Sequence, residues 1–339
     1  MPDTRTRRAA ALTTGLVVLA AALAGAALLS LAVGAQHVPL DVVLRALVHP
    51  DNTARDSLIV TEVRVPRTLI GLLAGVALGL AGAIVQAVTR NPLADPGILG
   101  VNAGAGLFVV VGISLFGVTS LTGYVWFGFA GAAAAAVIVY TIGSMGRGGA
   151  TPVKLAIAGT ALTATLLSFT TAVLVVDVAT YDQFRFWRVG SLSGRGLDVA
   201  AQGLPFLLVG VVVALAATRS LNALALGDEM ATSLGQHVGR ARLVAAAAVV
   251  VLCGTATAMA GPLVFVGLVV PHIARLVTGP DHRWLLPYSM LLAPLLLLVA
   301  DVLGRVVARP GEVQVGVVTA IVGAPFFVAL ARRRRLAEL

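Results

Sequence analysis

Pro271-His272, Arg275 and Asp281-His282-Arg283 invite a metal-binding reading. A metal centre needs several ligands that converge at set spacings. These two histidines stand on either side of a turn with no Cys or Glu at ligand spacing, so the group reads better as charges at the cytoplasmic ends of helices. The one cysteine, Cys253, rules out an internal disulfide and reads as a small buried helix residue. No G-x-x-x-x-G-K-[ST] loop occurs, so the chain does not hold ATP by that device. An ion-coupled carrier usually keeps a carboxylate or histidine deep within a span. Here Asp177 and Asp301 fall near the outer ends of apolar runs and His272 near an inner end, which counts against ion coupling and against a membrane-embedded enzyme. No catalytic residue, metal or cofactor is expected on this chain.

Three other groups have chemical character. Arg64 and Arg67 bracket Pro66 at the head of an uncharged run, where interfacial snorkelling is the simplest account. Thr160, Thr163, Ser168 and Thr171 fall on one helical face at about 100° per residue, with Thr165 pointing away. Membrane threonines commonly bond a carbonyl one turn back, but four hydroxyls on one side also suit a mildly polar wall. Between two later apolar runs lies Leu224-Ala-Leu226-Gly227-Asp228-Glu229-Met230-Ala231-Thr-Ser-Leu234-Gly235. Asp228 and Glu229 suit the positive start of a short helix, Gly235 suits its end, and Met230, Ala231 and Leu234 form an apolar side.

The elements that carry these groups are membrane helices. Of 339 residues, 58% are hydrophobic and 12% charged, about half the charged share of a soluble domain. The net charge of +9 is spread without a basic stripe interleaved with aromatics, so nucleic acid is not the partner. Arginines near the N-terminus precede an uncharged stretch from Ala9 to Leu40, too long for a cleaved signal core, and it reads as a retained first span. Charge-free runs predict an all-α polytopic membrane protein as one transmembrane domain, 1–339. Its ten spans lie near 12–34, 63–89, 97–118, 123–145, 153–177, 199–218, 240–261, 263–277, 284–307 and 313–331, with a cytoplasmic loop at 221–237. With both termini cytoplasmic, the inner segments hold 15 of the 24 Lys/Arg and 6 of the 15 acids, as the positive-inside tendency requires. Gly71, Gly75, Gly79 and Gly82 line one side of the second span and leave room for a neighbouring backbone. Asn91-Pro92 ends it, and Asp95-Pro96-Gly97 turns the chain. Leu80-Ala-Gly82-Ala before Pro92 and Met259-Ala-Gly261-Pro before Pro271 make a faint echo, as of an inverted repeat.

R-x-P-R at 64–67, LAGAIVQAVTRNPLADPGILG at 80–100, FRFWRVGSLSG at 184–194, LALGDEMATSLG at 224–235, GPLVFVGLVVPHIARLVTGPDHRWLLP at 261–287 and GVVTAIVGAPFF at 316–327 run in order along the chain. In these pieces it resembles the permease subunits of bacterial ABC importers for iron–siderophore complexes, haem and cobalamin. The resemblance implies a plasma-membrane protein that pairs with a second permease subunit, identical or not. Two ATPase subunits would carry ATP and Mg, and an extracytoplasmic binding protein would deliver cargo. It implies that Arg64, Arg67 and Arg305 meet acids of the binding protein, with a local ion pair to Asp301 as the alternative for Arg305. It implies that Leu226, Gly227, Asp228, Glu229, Met230, Ala231, Leu234 and Gly235 engage the ATPase. Thr160, Thr163, Ser168 and Thr171 would flank the pathway, and Ala150 and Thr151 would lie at its cytoplasmic gate. Ferric siderophore is the expected cargo, with haem or cobalamin as alternatives in the same family and an ion-coupled secondary carrier as the alternative of another class.

Overall fold

A computed structural model of the chain describes residues 4–34, 36–49, 54–146 and 151–332, and among these every regular element is helical. In chain order these are α1 (Thr4–Ala32), α2 (Leu40–Val48), α3 (Arg55–Leu58), a π-helical stretch (Ile59–Arg64) and α4 (Val65–Thr89). A 3-10 turn (Pro96–Leu99), α5 (Val101–Phe116), α6 (Leu121–Ser144), α7 (Pro152–Val176), α8 (Val178–Arg188) and α9 (Leu197–Ala216) follow. The last are α10 (Thr218–Ala225), α11 (Asp228–Ser233), α12 (Val238–Ala260), α13 (Val266–Thr278), α14 (His282–Val307) and α15 (Val315–Ala331). Seven helical runs are long and apolar enough to cross a membrane: those of α1, α4, α6, α7, α9, α12 and α14. Shorter apolar helices, α5, α13 and α15, stand at the other three expected positions. Boundaries differ where charge does not end a helix. The first helix begins at Thr4, and the run into α4 is unbroken from Arg55. The charged short helices α2 and α8 are invisible to a count of charge-free runs. Below, the end of the bundle where α1 begins is the near end and the opposite one the far end.

Helix α4 is the central post, and its glycines are the reason. A Cβ on Gly75 would stand 2.3 Å from Pro294 Cα, and one on Gly79 would stand 2.4 Å from the Ser289 carbonyl, both on α14. One on Gly82 would stand 1.9 Å from the Gly267 carbonyl on α13. No side chain fits at such distances, so these backbones touch, and dispersion between them replaces the hydrophobic drive that lipid does not supply. Leu80, Ile84, Leu285 and Leu297 fill the space around this contact and are fully buried.

Two segments break into the bundle instead of turning at its surface. After α4 the chain turns at Asp95-Pro96-Gly97, and it does so inside the bundle. Pro96 and Leu99 are buried, Pro96 lies against Gly267, and a Cβ on Gly159 of α7 would stand 1.7 Å from the Ile98 carbonyl. Asp95 caps the 3-10 turn, its Oδ1 accepting from the Gly97 N–H at 2.8 Å. The second break is Gly261–Phe265, between α12 and α13. It packs on the FRFWRVGSLSG segment: the Ser191 N–H donates to the Ala260 carbonyl at 2.8 Å just before the break, and a Cβ on Gly261 would stand 2.3 Å from the Trp187 carbonyl. Long helix, non-helical insert, short helix recurs as α4–α5 and α12–α13. The glycines of the sequence echo are not equivalent within it, since Gly82 lies inside α4 whereas Gly261 ends α12 at φ 75°.

Candidate functional site

At the far end, Arg64, Arg67 and Arg305 converge, but they do not form a surface rim. All three are buried, at 4%, 4% and 3% exposure. Arg64 donates to the Leu31 carbonyl at 2.7 Å and to the Gln36 carbonyl. Arg67 grips the fully buried Asp301 with Nη2 to Oδ1 at 2.8 Å and Nε to Oδ2 at 3.0 Å, while its Nη1 reaches Glu312 at 2.7 Å. Arg305 lies 3.0 Å from Asp301 Oδ2 and donates to the Ser30 carbonyl and hydroxyl at 3.0 and 2.8 Å. Asp301 thus ties α4 to α14, and Ser30 extends the tie to α1. Within the single chain these arginines are buried and bonded to its own groups, where the resemblance expected them to meet acids of a partner. Their donors are spent inside the chain, because an unpaired buried charge is too costly to keep. The pair between Asp301 and Arg305 was readable from their spacing. The roles of Glu312 and Ser30 were not, since neither is near in sequence. Burial acts on Glu312 to raise its pKa, but the hydrogen bond and charge of Arg67 outweigh it and hold the carboxyl below its ordinary value.

Midway along the bundle, a cavity of about 310 Å³ opens between α5, α7 and α8. Asn102, Thr163, Thr170, Thr171, Trp187 and Arg188 supply its polar groups. Of the expected wall, Thr163 and Thr171 line this cavity. Thr160 and Ser168 are exposed on the same helix outside it, and Thr170 joins it unforeseen. The hydroxyls of Thr160, Ser168, Thr170 and Thr171 each donate to the carbonyl four residues back, at 2.8 to 3.0 Å. The polarity of these four hydroxyls is therefore largely spent on the helix, whereas Trp187 and Arg188 add polar groups to the cavity. The FRFWR segment provides Trp187 and Arg188, whose chemistry the sequence displays but whose place beside α7 it does not. Apolar Leu167, Phe169, Val175 and Val176 also lie bare along α7, so this helix faces outward from the single chain.

At the near end, α10 and α11 form a bent arm. Gly227, at φ 106°, sets the bend that only glycine adopts freely, and Gly235, at φ 78°, closes α11. Asp228 and Glu229 begin α11 as expected, but Asp228 is held by Arg242 Nη2 at 2.9 Å and so belongs to the chain's own framework. Glu229 is exposed. Ala231 is buried, while Leu226, Met230 and Leu234 are bare at 66%, 52% and 59%. The expected apolar side is therefore divided: Ala231 anchors the arm, and the other three present an unpartnered apolar tip. Asn222 fixes α10 to the start of α14, donating to Asp281 at 2.8 Å and accepting from the His282 N–H at 2.9 Å. Thr151 caps α7, its Oγ1 accepting from the Lys154 N–H at 3.4 Å. Ala150, the other expected gate residue, lies outside the described residues.

The profile of the FecCD transport family matches residues 18–333. The ferric enterobactin transport system permease protein FepD of Escherichia coli (strain K12) is 49% identical over 306 residues, 90% of this chain and 91% of that protein. The probable siderophore transport system permease protein YfiZ of Bacillus subtilis (strain 168) is 44% identical over 83% of this chain and 85% of that one. Among solved structures, an inward-facing metal-chelate type ABC transporter matches with a TM-score of 0.82 and 25% identity, over 94% of this chain and 99% of that one. An all-helical membrane bundle with these matches along nearly its whole length belongs to the FecCD transport family.

Proposed function

We propose that this chain is the transmembrane subunit of an ATP-driven importer and forms, with a second permease subunit, the pathway for a ferric siderophore. The observation that carries this reading is the 49% identity to the ferric enterobactin permease, which extends over 90% of the chain. The bare face of α7, with its helix-bonded hydroxyls, supports a pathway completed by a second subunit. Its polarity is too low to trap a bulky polar cargo and too high for a surface meant only for lipid. The exposed tip of Leu226, Met230 and Leu234 supports docking in an apolar cleft of an ATPase subunit, one per permease, where ATP and Mg reside. In this reading the near end and both termini face the cytoplasm of a bacterial plasma membrane. An extracytoplasmic binding protein docks on the far end. The Asp301 network contributes there by holding the ends of α1, α4 and α14 in register as a platform, not by offering arginines directly.

The test is uptake of radiolabelled iron chelates, haem and cobalamin in cells from which this chain has been deleted. The reading predicts loss of ferric siderophore uptake alone, restored by the intact chain. Loss of only haem or cobalamin uptake moves the chain to that cargo, and undiminished uptake of all three overturns the reading.

A further inference from the structure

A second, polar cavity of about 190 Å³ lies at the near end, away from the α7 pathway, lined by Gln86, Arg90, Asn91, Arg275 and His282 among others. It brings together the histidine and arginine of the 261–287 motif, which neither the pathway nor the α11 arm uses. Its charge is unbalanced. Among the described residues no carboxylate pairs with Arg275, and Arg90 has only Asp228, at 3.9 Å. Asp281, next to His282 in the chain, is engaged by Asn222 and by the Arg283 N–H.

Two buried acceptors there are also unanswered. Gln86, 2% exposed, donates its amide to the Leu268 carbonyl at 3.1 Å, which leaves Oε1 without a partner. His282, 2% exposed, places Nδ1 at 2.7 Å from Asn222 Oδ1. Asn222 turns its amide nitrogen to Asp281, so its oxygen faces the ring, Nδ1 carries the proton, and Nε2 is a bare acceptor without a partner. Leaving such groups unmatched costs free energy, and a ligand able to answer them recovers it.

We propose that this cavity binds a phosphate-type oxyanion that carries a hydroxyl. Arg90 and Arg275 take its charge, and Gln86 Oε1 and His282 Nε2 each accept from an O–H of the ligand, of which dihydrogen phosphate and a headgroup glycerol each have two. Guanidinium groups suit phosphate oxygens. The two acceptors reject an oxyanion that has no hydrogen to give, since a site built around a donated hydroxyl discriminates strongly against an analogue lacking it. At about 30 Å³ per water, the volume holds a tetrahedral oxyanion with space beside it for a small polyol. Inorganic phosphate and the glycerol-phosphate headgroup of a membrane phospholipid share this chemistry. Because Arg90 also reaches toward Asp228 on α11, occupancy would shift that arginine between the cavity and the arm.

The experiment uses the full-length chain in nanodiscs at pH 7. Inorganic phosphate is titrated by calorimetry in zwitterionic lipid, with sulfate at matched ionic strength, and retention of phosphatidylglycerol is followed by native mass spectrometry. Phosphate binding at least tenfold tighter than sulfate, lost at least tenfold in Arg275→Gln, is the expected result. Gln86→Met should narrow the phosphate-to-sulfate ratio. Saturable phosphatidylglycerol retention, displaced by phosphate and lost in the same variant, assigns the headgroup as the source, and phosphate binding without it assigns the free ion. Should Arg275→Gln fail to fold, Arg90→Gln, on a half-exposed side chain, carries the same comparison. Equal affinity for sulfate, binding unchanged in the arginine variants, or no binding of either phosphate source overturns the proposal.

Discussion

Replacing Asp301 by alanine removes the one acid that two buried arginines share. Asp301 is fully buried, receives Arg67 through both carboxylate oxygens at 2.8 to 3.1 Å, and lies 3.0 Å from an Arg305 nitrogen. After the change, among the described residues, Arg67 retains only Glu312, and Arg305 only the neutral oxygens of Ser30 and its own helix. Deleting one partner of a buried ion pair costs about 3–5 kcal/mol, because the remaining charge is left uncompensated. At about 1.4 kcal/mol per factor of ten, that is a shift of roughly two to three and a half orders of magnitude in the unfolding equilibrium. Asp301→Asn should lose nearly as much, since its amide nitrogen faces guanidinium donors and its charge is gone. The combined change of Arg67→Met, Asp301→Leu and Arg305→Met should recover most of the loss, as buried ionic clusters exchanged for packed apolar groups often do. The assay is steric-trapping or denaturant unfolding of the purified protein in bicelles, with thermal melting as a check. A loss below about 1 kcal/mol for Asp301→Ala would match an exposed pair, and the network would then not be the buried tie described.

Four further outcomes follow from the geometry. Gly82→Leu should abolish folding or assembly, read by size exclusion, because its Cβ alone would sit 1.9 Å from a main-chain oxygen. Met230→Asp with Leu234→Asp should leave the fold intact and cut transport at least tenfold, with ATPase binding lost in a pull-down, since both residues are bare. Ser168→Ala should change melting temperature and transport little, because that hydroxyl is spent on the Ala164 carbonyl at 2.9 Å. Glu312 has a depressed folded pKa, so its stabilisation is complete above its ordinary value of 4.5 and lost as pH falls through the lower folded value. Glu312→Gln should therefore flatten the acid limb of a stability–pH profile below that point.

Much of this arrangement is legible in the residues because a membrane helix declares itself by lack of charge. The glycine side of α4 was readable for the same kind of reason: small residues at helical spacing serve close approach, and Gly75, Gly79 and Gly82 do touch backbone. Partnership across distance was less accessible. Arg67 and Asp301 are 234 residues apart, and nothing local marks them as a pair, so an arginine bonded inward looks like one facing out. Depth was also hidden. The NPLADPG segment has the composition of a surface turn, but its two prolines and one glycine serve to thread a non-helical stretch against α7 and α13. The α11 arm was half visible, since its caps lie in the sequence, whereas the burial of Ala231 depends on where α12 lies.

Transport by the purified chain, reconstituted in proteoliposomes with its ATPase, a second permease subunit and a binding protein, tests the central proposal most directly. Accumulation of radiolabelled ferric siderophore that requires ATP and the binding protein, and that vanishes when the ATPase is omitted, is the predicted result. Accumulation by this chain alone, or driven by a proton or sodium gradient without ATP, would contradict it.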